Sequence, residues 1–300
     1  MASMQAGHAV HTLDAMWYRR SELVVLVVAV AALVVPTYAR LGAGLWNQEA
    51  YEHGPIIAAL FWWLVWRCRQ PLADVEAKPN RVLGGLVFVA GLLLYFVGRS
   101  QALPLFEVAA EIPIFAGIAL CMLGAPGLRV IWFPLLFLVF LVPLPGFLIV
   151  GITAELKQYV SAVAENVLYH AGYPIARDGV VITIGQYQML VADACSGLNS
   201  MYSLTAMGLL YLYLVNRKGW WHNLALIAAI LPIAFVANVI RVLVLILLTY
   251  HFGDAAGQGF LHSASGVLLF VIALLLLMGL DAVSVRLSPG PRTRTRSESS

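Results

Sequence analysis

The chain has 300 residues, 61% hydrophobic and 11% charged, with a mean hydropathy of +0.87 and a formal net charge of +3. Soluble globular domains carry roughly a quarter charged residues, so the composition excludes one and points to an all-α polytopic membrane protein. The small positive excess reflects loops between apolar runs and implies no nucleic-acid partner.

Apolar runs able to supply the ~20 residues that cross a ~30 Å hydrocarbon core begin near Glu22, Gly54, Val82, Val108, Ile131, Leu198, Leu224 and His262. They predict about eight transmembrane helices within residues 22–285, after a cytoplasmic N-terminus at residues 1–21. The first run follows Arg19 and Arg20 like a secretory signal. Pro36, Tyr38 and Arg40 occupy the stretch where a small-residue cleavage site belongs, so the first helix is read as retained. The second run, residues 54–66, is short and must borrow from the preceding loop or lie shallow. With both termini inside, thirteen Lys and Arg fall on the inner side and only Arg40, Arg99, Lys157 and Arg177 on the outer, Arg241 being left inside a helix. Short cytoplasmic loops retain positive charge, which makes this the expected orientation.

The longest extramembrane piece, about residues 151–197, then lies outside. Residues 151–171 read as an amphipathic helix along the membrane surface, with Ile152, Leu156, Tyr159, Val163, Val167 and Leu168 roughly on one face. Residues 173–191 alternate, Val180, Ile182 and Ile184 against Val181, Thr183 and Gly185, with a turn at Asp178-Gly179. The pattern predicts a small β-hairpin that delivers the chain to Cys195. Residues 286–300, rich in Ser, Thr, Arg, Pro and Gly, lack apolar periodicity and are expected to form a disordered cytoplasmic tail.

Cys68, Cys121 and Cys195 lie far apart and form no metal knuckle, so Cys195 is expected to be a free thiol. It stands at the outer start of the sixth helix, where the helix terminus lowers a thiol's pKa and offers N–H donors to an oxyanion. The competing reading is a small buried hydrophobe. Arg241 lies within the seventh run, where an arginine costs at least ~2.5 kcal/mol at mid-membrane. It must face the bundle or a watery pocket, with Asn238 three residues earlier on the same face; otherwise it snorkels to headgroups or pairs with Glu111 or Asp193. His262 opens the eighth helix among small residues that permit close approach, a place where a histidine is often only structural. His53, in Tyr51-Glu52-His53-Gly54, is also on the outer side. Together the last three helices bring a nucleophile, a proton carrier and a fixed cation to one outer half, a set suited to acyl transfer.

At these residues the chain resembles the exosortases of the exosortase and archaeosortase family, membrane-embedded cysteine transpeptidases. The likeness rests on Ala194-Cys195-Ser196-Gly197, Ala237-Asn238-Val239-Ile240-Arg241, and His262 with Gly266. Tyr51-Glu52-His53-Gly54 is similar to the family's Tyr-Ser-His-Gly, and Phe133-Pro134-Leu135 with Pro143-Leu144-Pro145 to its middle segment; the whole extends from about Trp46 to Leu280. Glu52 departs from that pattern, and Asn199 stands where many exosortases carry Arg, which suggests the exosortase B type. The resemblance implies Cys195, Arg241 and His262 as the catalytic residues, with Asn238, Asp193 and His53 supporting. It implies substrates with a C-terminal signal of Pro-Glu-Pro, a transmembrane helix and a basic cluster (PEP-CTERM), in company with exopolysaccharide production, and an acceptor nucleophile of unknown kind. It places the enzyme in a bacterial inner membrane with the site facing the periplasm, and implies no cofactor or metal. The rival from the residues alone is a polytopic exopolysaccharide export component or transporter, with Arg241 in an anion path, which predicts paired broken helices or repeats.

Overall fold

The computed structural model describes residues 24–48, 51–144, 146–190, 197–215, 219–258 and 260–287, with side chains apart from those of 146–153, 197–201, 221, 258, 260–270 and 285–287. Two compact units meet in sequence between Ile131 and Trp132. The first contains α1 (Val24–Asn47), α2 (Gly54–Arg67), α3 (Arg69–Ala73), α4 (Arg81–Ser100), α5 (Pro104–Ala109) and α6 (Glu111–Met122), and α7 (Gly124–Leu138) carries the chain onward. The second holds α8 (Gly146–His170), β1 (Ile175–Asp178), β2 (Val181–Ile184), β3 (Tyr187–Leu190), α9 (Gly197–Val215), α10 (Trp220–Phe252), α11 (Asp254–Gln258) and α12 (Phe260–Leu287).

Among the described residues, five helical stretches are long and apolar enough to cross a membrane: Val24–Asn47, Arg81–Ser100, Pro104–Met122, Gly124–Leu141 and His222–Phe252. Three shorter apolar stretches, Gly54–Arg67, Tyr202–Val215 and Val271–Ser284, accompany them. The protein is therefore an α-helical multi-pass membrane protein. The run expected from Val108 starts at Pro104 and is broken at Ala110, and the one expected from Ile131 starts at Gly124.

In the first unit, α4 packs closely on α6 because Gly84, Gly91 and Gly98 recur every seven residues on one face of α4. A Cβ at Gly91 would lie 2.8 Å from Ile114 Cγ1 and 2.9 Å from its backbone nitrogen. In lipid such small-residue seams supply much of helix association, because the tails are as apolar as leucine. The seam brings Glu107 to Arg99, whose Nη1 lies 2.9 Å from Oε1. Arg40 and Thr37 of α1 reach the same carboxylate, Thr37 donating its hydroxyl at 2.7 Å. Glu107 is 4% exposed, so α1, α4 and α5 share one buried ion-pair network.

In the second unit, the alternation after Tyr173 becomes a three-stranded antiparallel meander rather than a single hairpin. Ile182 faces Arg177 on one side and Met189 on the other. Gly179 (φ 61) and Gly185 (φ 55) make the two tight turns, in the left-handed region that glycine adopts without Cβ strain. The second turn, and with it β3, escaped the reading because Gly185-Gln186 is a weaker signal than Asp-Gly. Ile182 and Ile184 are fully buried against Val160, Ala164 and Leu168 of α8 and Val239, Val242, Leu245 and Ile246 of α10. The apolar residues of α8 divide between two faces. Its packed stripe is Val160, Ala164 and Leu168, while Tyr159, Val163 and Val167 point outward; small Ala164 and Ser161 let the sheet and α10 approach on that side.

Candidate active site

The site is built around α10, a helix of 33 residues. At ~1.5 Å per residue it is about 50 Å long, well beyond a ~30 Å hydrocarbon core. Trp220 at its start is exposed, as an interfacial aromatic should be. A span begun there uses its ~20 residues by about Val239. The remainder stays apolar because α8 and the sheet cover Val239, Val242, Leu245 and Ile246. Arg241 thus lies beyond the ~20 residues that a span begun at Trp220 would use, in the segment that α8 and the sheet cover.

Asn238 is 1% and Arg241 4% exposed. That burial disposes of snorkelling to headgroups, which needs an exposed guanidinium. Glu111, considered above as its partner, accepts a hydrogen bond at 3.1 Å from Tyr38 within the first unit. A buried guanidinium stays protonated and acts on nearby charge through little screening solvent.

The side-chain pairing of the bundle shows what stands level with Arg241. A Cβ on Gly208 of α9 would meet Ile230 at 2.9 Å, and Leu204 packs with Ala234 and Ala237. Numbers fall along α9 as they rise along α10, so the two helices are antiparallel. Arg241, eleven residues beyond Ile230, is therefore level with Gly197, eleven residues before Gly208. On the third helix, α12, Leu277 packs with Leu226 and Ile230, and Ala273 with Ala234 and Ala237. At the far end His222 Nε2 lies 2.7 Å from Asp281 Oδ1. Nineteen residues along α10 from His222 is Arg241, and nineteen back along α12 from Asp281 is His262. The backbone of His262 therefore stands at the level of Arg241 and of the start of α9.

Cys195 and Asp193 lie outside the described residues; Cys195 precedes Gly197 by two positions in sequence. His53 belongs to the first unit, in the turn before α2, where its carbonyl accepts from Ile57 N at 3.1 Å. The next residue must be glycine, since a Cβ on Gly54 would collide with the Trp46 indole. His53 is half-buried, and that burial pushes its imidazole below the ordinary value of 6.5, leaving it neutral at neutral pH.

Two polar clusters escaped the sequence reading: Glu107 with Arg40 and Arg99, and Asp281 with His222 and Tyr211. The available signal was an acid within an apolar run, which by default has a partner or a task.

Fold and site define a polytopic membrane protein in which a buried arginine stands level with the N-terminal ends of two neighbouring helices. The chain belongs to the transmembrane exosortase family, whose model matches residues 45–279, and that family is one of membrane cysteine transpeptidases. The comparisons with curated proteins and with solved structures return no match.

Proposed function

We propose that this exosortase is a cysteine transpeptidase whose catalytic residues are Cys195, Arg241 and His262, with Asn238, Asp193 and His53 supporting. It acts at the periplasmic face of a bacterial inner membrane on proteins with a C-terminal PEP-CTERM signal, alongside exopolysaccharide production and surface export. The observation that carries this reading is the common level of Arg241, the backbone of His262 and the first residue of α9, two positions after Cys195. Asn199 fits the exosortase B type.

In this reading the Cys195 thiolate attacks a peptide carbonyl near the sorting motif, forming a C–S bond and an oxyanion. Collapse of that intermediate breaks the C–N bond, and His262 gives its proton to the departing amine of the signal's transmembrane tail. The thioester is then attacked by an acceptor whose proton His262 takes; the C–S bond breaks and the thiolate returns. Arg241 stabilises the oxyanion or holds the thiolate, and as a permanent cation it is not the base. The outward stripe Tyr159, Val163 and Val167 of α8 supports a helix lying on the membrane surface beside the site.

Co-expression with a tagged Pro-Glu-Pro sorting substrate, followed by size on a gel, tests the reading. Processing by the wild type and none by Cys195→Ala is expected. Equal processing by both would remove Cys195 from catalysis.

A further inference from the structure

Asp281 is 3% exposed near the end of α12, yet both its oxygens are engaged. The His222 ring N–H of α10 donates to Oδ1 at 2.7 Å, and the Tyr211 hydroxyl of α9 donates to Oδ2 at 2.9 Å. One carboxylate thus ties together the three helices whose opposite ends carry Arg241, His262 and the approach to Cys195.

Among the described residues, the aliphatic part of the contact between these helices has little sense of axial register. Leu226, Ile230, Ala234 and Ala237 meet Ala273 and Leu277 through aliphatic surfaces, and Ala and Gly at the seam ease sliding. In lipid such contacts lack a hydrophobic penalty for displacement, because the tails are equally apolar. A hydrogen bond is different. A slip of two residues, about 3 Å, takes a 2.7 Å bond lying across the helices to about 4 Å, beyond hydrogen-bond length, and strands a buried carboxylate. Single polar residues fix register in coiled coils for the same reason.

We propose that Asp281 is a positioning residue: through His222 and Tyr211 it sets the axial register of α9, α10 and α12, and so the level at which Arg241 and His262 meet. The catalytic consequence rests on the function proposed above; the register itself does not. Nothing else assigns this cluster a role, and it lies about 28 Å along the helices from the site, nineteen residues at ~1.5 Å.

The test measures register and turnover separately. Spin labels at Leu231 of α10 and Leu275 of α12, both exposed, report the inter-helix distance in detergent, in the full chain with its three native cysteines changed to serine. Wild type and Asp281→Asn, which keeps an acceptor for His222, are expected to give one narrow distribution. Asp281→Ala is expected to broaden or shift it by about 3 Å or more, two residues of slip. With Cys195 restored and the labels omitted, Asp281→Ala is expected to lower kcat for the sorting substrate by at least about 10²-fold with KM unchanged, since a ~1 Å misplacement already has that effect, and Asp281→Asn by no more than about threefold. Should Asp281→Ala not accumulate, the His222→Leu, Asp281→Leu double variant removes both polar groups at similar volume, and the same broadening is expected. An unchanged distribution in whichever of these variants folds overturns the proposal, whatever happens to thermal stability. If the wild type processes no substrate, the function proposed above fails while the distance distributions still decide the register.

Discussion

Arg241→Met tests catalysis and stability together, and the two effects are separated by measuring rate per folded molecule beside the melting temperature. At 4% exposure the guanidinium has given up almost all of its water. Methionine fills much of the same space without charge, but removing one side of a buried charged contact leaves the other unsatisfied, at a cost of about 1–3 kcal/mol or more. Loss of one oxyanion donor costs about 10²–10³ in rate, about 2.7–4 kcal/mol of transition-state stabilisation. The variant is therefore expected to melt in detergent below the wild-type temperature and, per folded molecule, to process substrate about 10²–10³-fold more slowly. Arg241→Lys, which keeps the charge but not the planar fork, should fall between. The pH profile distinguishes the two roles. If Arg241 holds the thiolate, its loss raises the thiol's pKa and moves the acidic limb of kcat/KM upward; if it serves only the oxyanion, the limb stays. Single-turnover processing per folded molecule is the assay. Arg241→Met within threefold of wild type would refute the reasoning, and so would a rate loss that only tracks the loss of folded protein.

Gly91→Leu is expected to prevent α4 from reaching α6, since the obstruction includes the Ile114 backbone and not just a movable side chain; overpacking of this kind costs about 1–3 kcal/mol or more, read as a lower melting temperature. Glu107→Gln removes the shared partner of Arg40 and Arg99. A fully buried pair would lose about 3–5 kcal/mol, but both arginines are more than a third exposed, so the screened interaction is expected to be worth about 1 kcal/mol. His53 titrates below its ordinary value of 6.5 in the folded chain. Its unfolded form therefore binds the proton more readily, and its contribution to stability, present above about pH 6.5, should decline as pH falls through the lowered folded value. Melting curves of wild type and His53→Gln across that window check this, the variant lacking that part of the slope.

The sequence was most informative where one residue violated its surroundings. A membrane span tolerates few charges, so Arg241 and Asn238 stood out, and their burial follows from the same cost. The apolar runs marked the helices, though not the break at Ala110 or the length of α10. That helix reads as one hydrophobic stretch because lipid and a covering sheet demand the same residues, and only the packing of Ile182 and Ile184 on Val242 and Ile246 shows where one solvent gives way to the other. The stripe of α8 that packs on protein was hidden for a related reason. Tyr159, Val163 and Val167 are as apolar as the stripe that packs, and the choice was made by Ala164 and Ser161, whose smallness carries no weight in a hydrophobicity pattern. Glu107 and Asp281 acquire meaning through partners on other helices, and apart from Arg99 these lie about sixty or seventy residues away, a pairing that no local period encodes.

The central claim is covalent catalysis by Cys195, and its most direct test is the mass of the enzyme caught during turnover. Wild type mixed with a sorting substrate and quenched in acid is expected to carry the substrate's N-terminal fragment as a thioester, mapped to Cys195 and released by hydroxylamine, with none on Cys195→Ala. Cleavage proceeding with no such adduct, or with the fragment on another residue, would contradict the account.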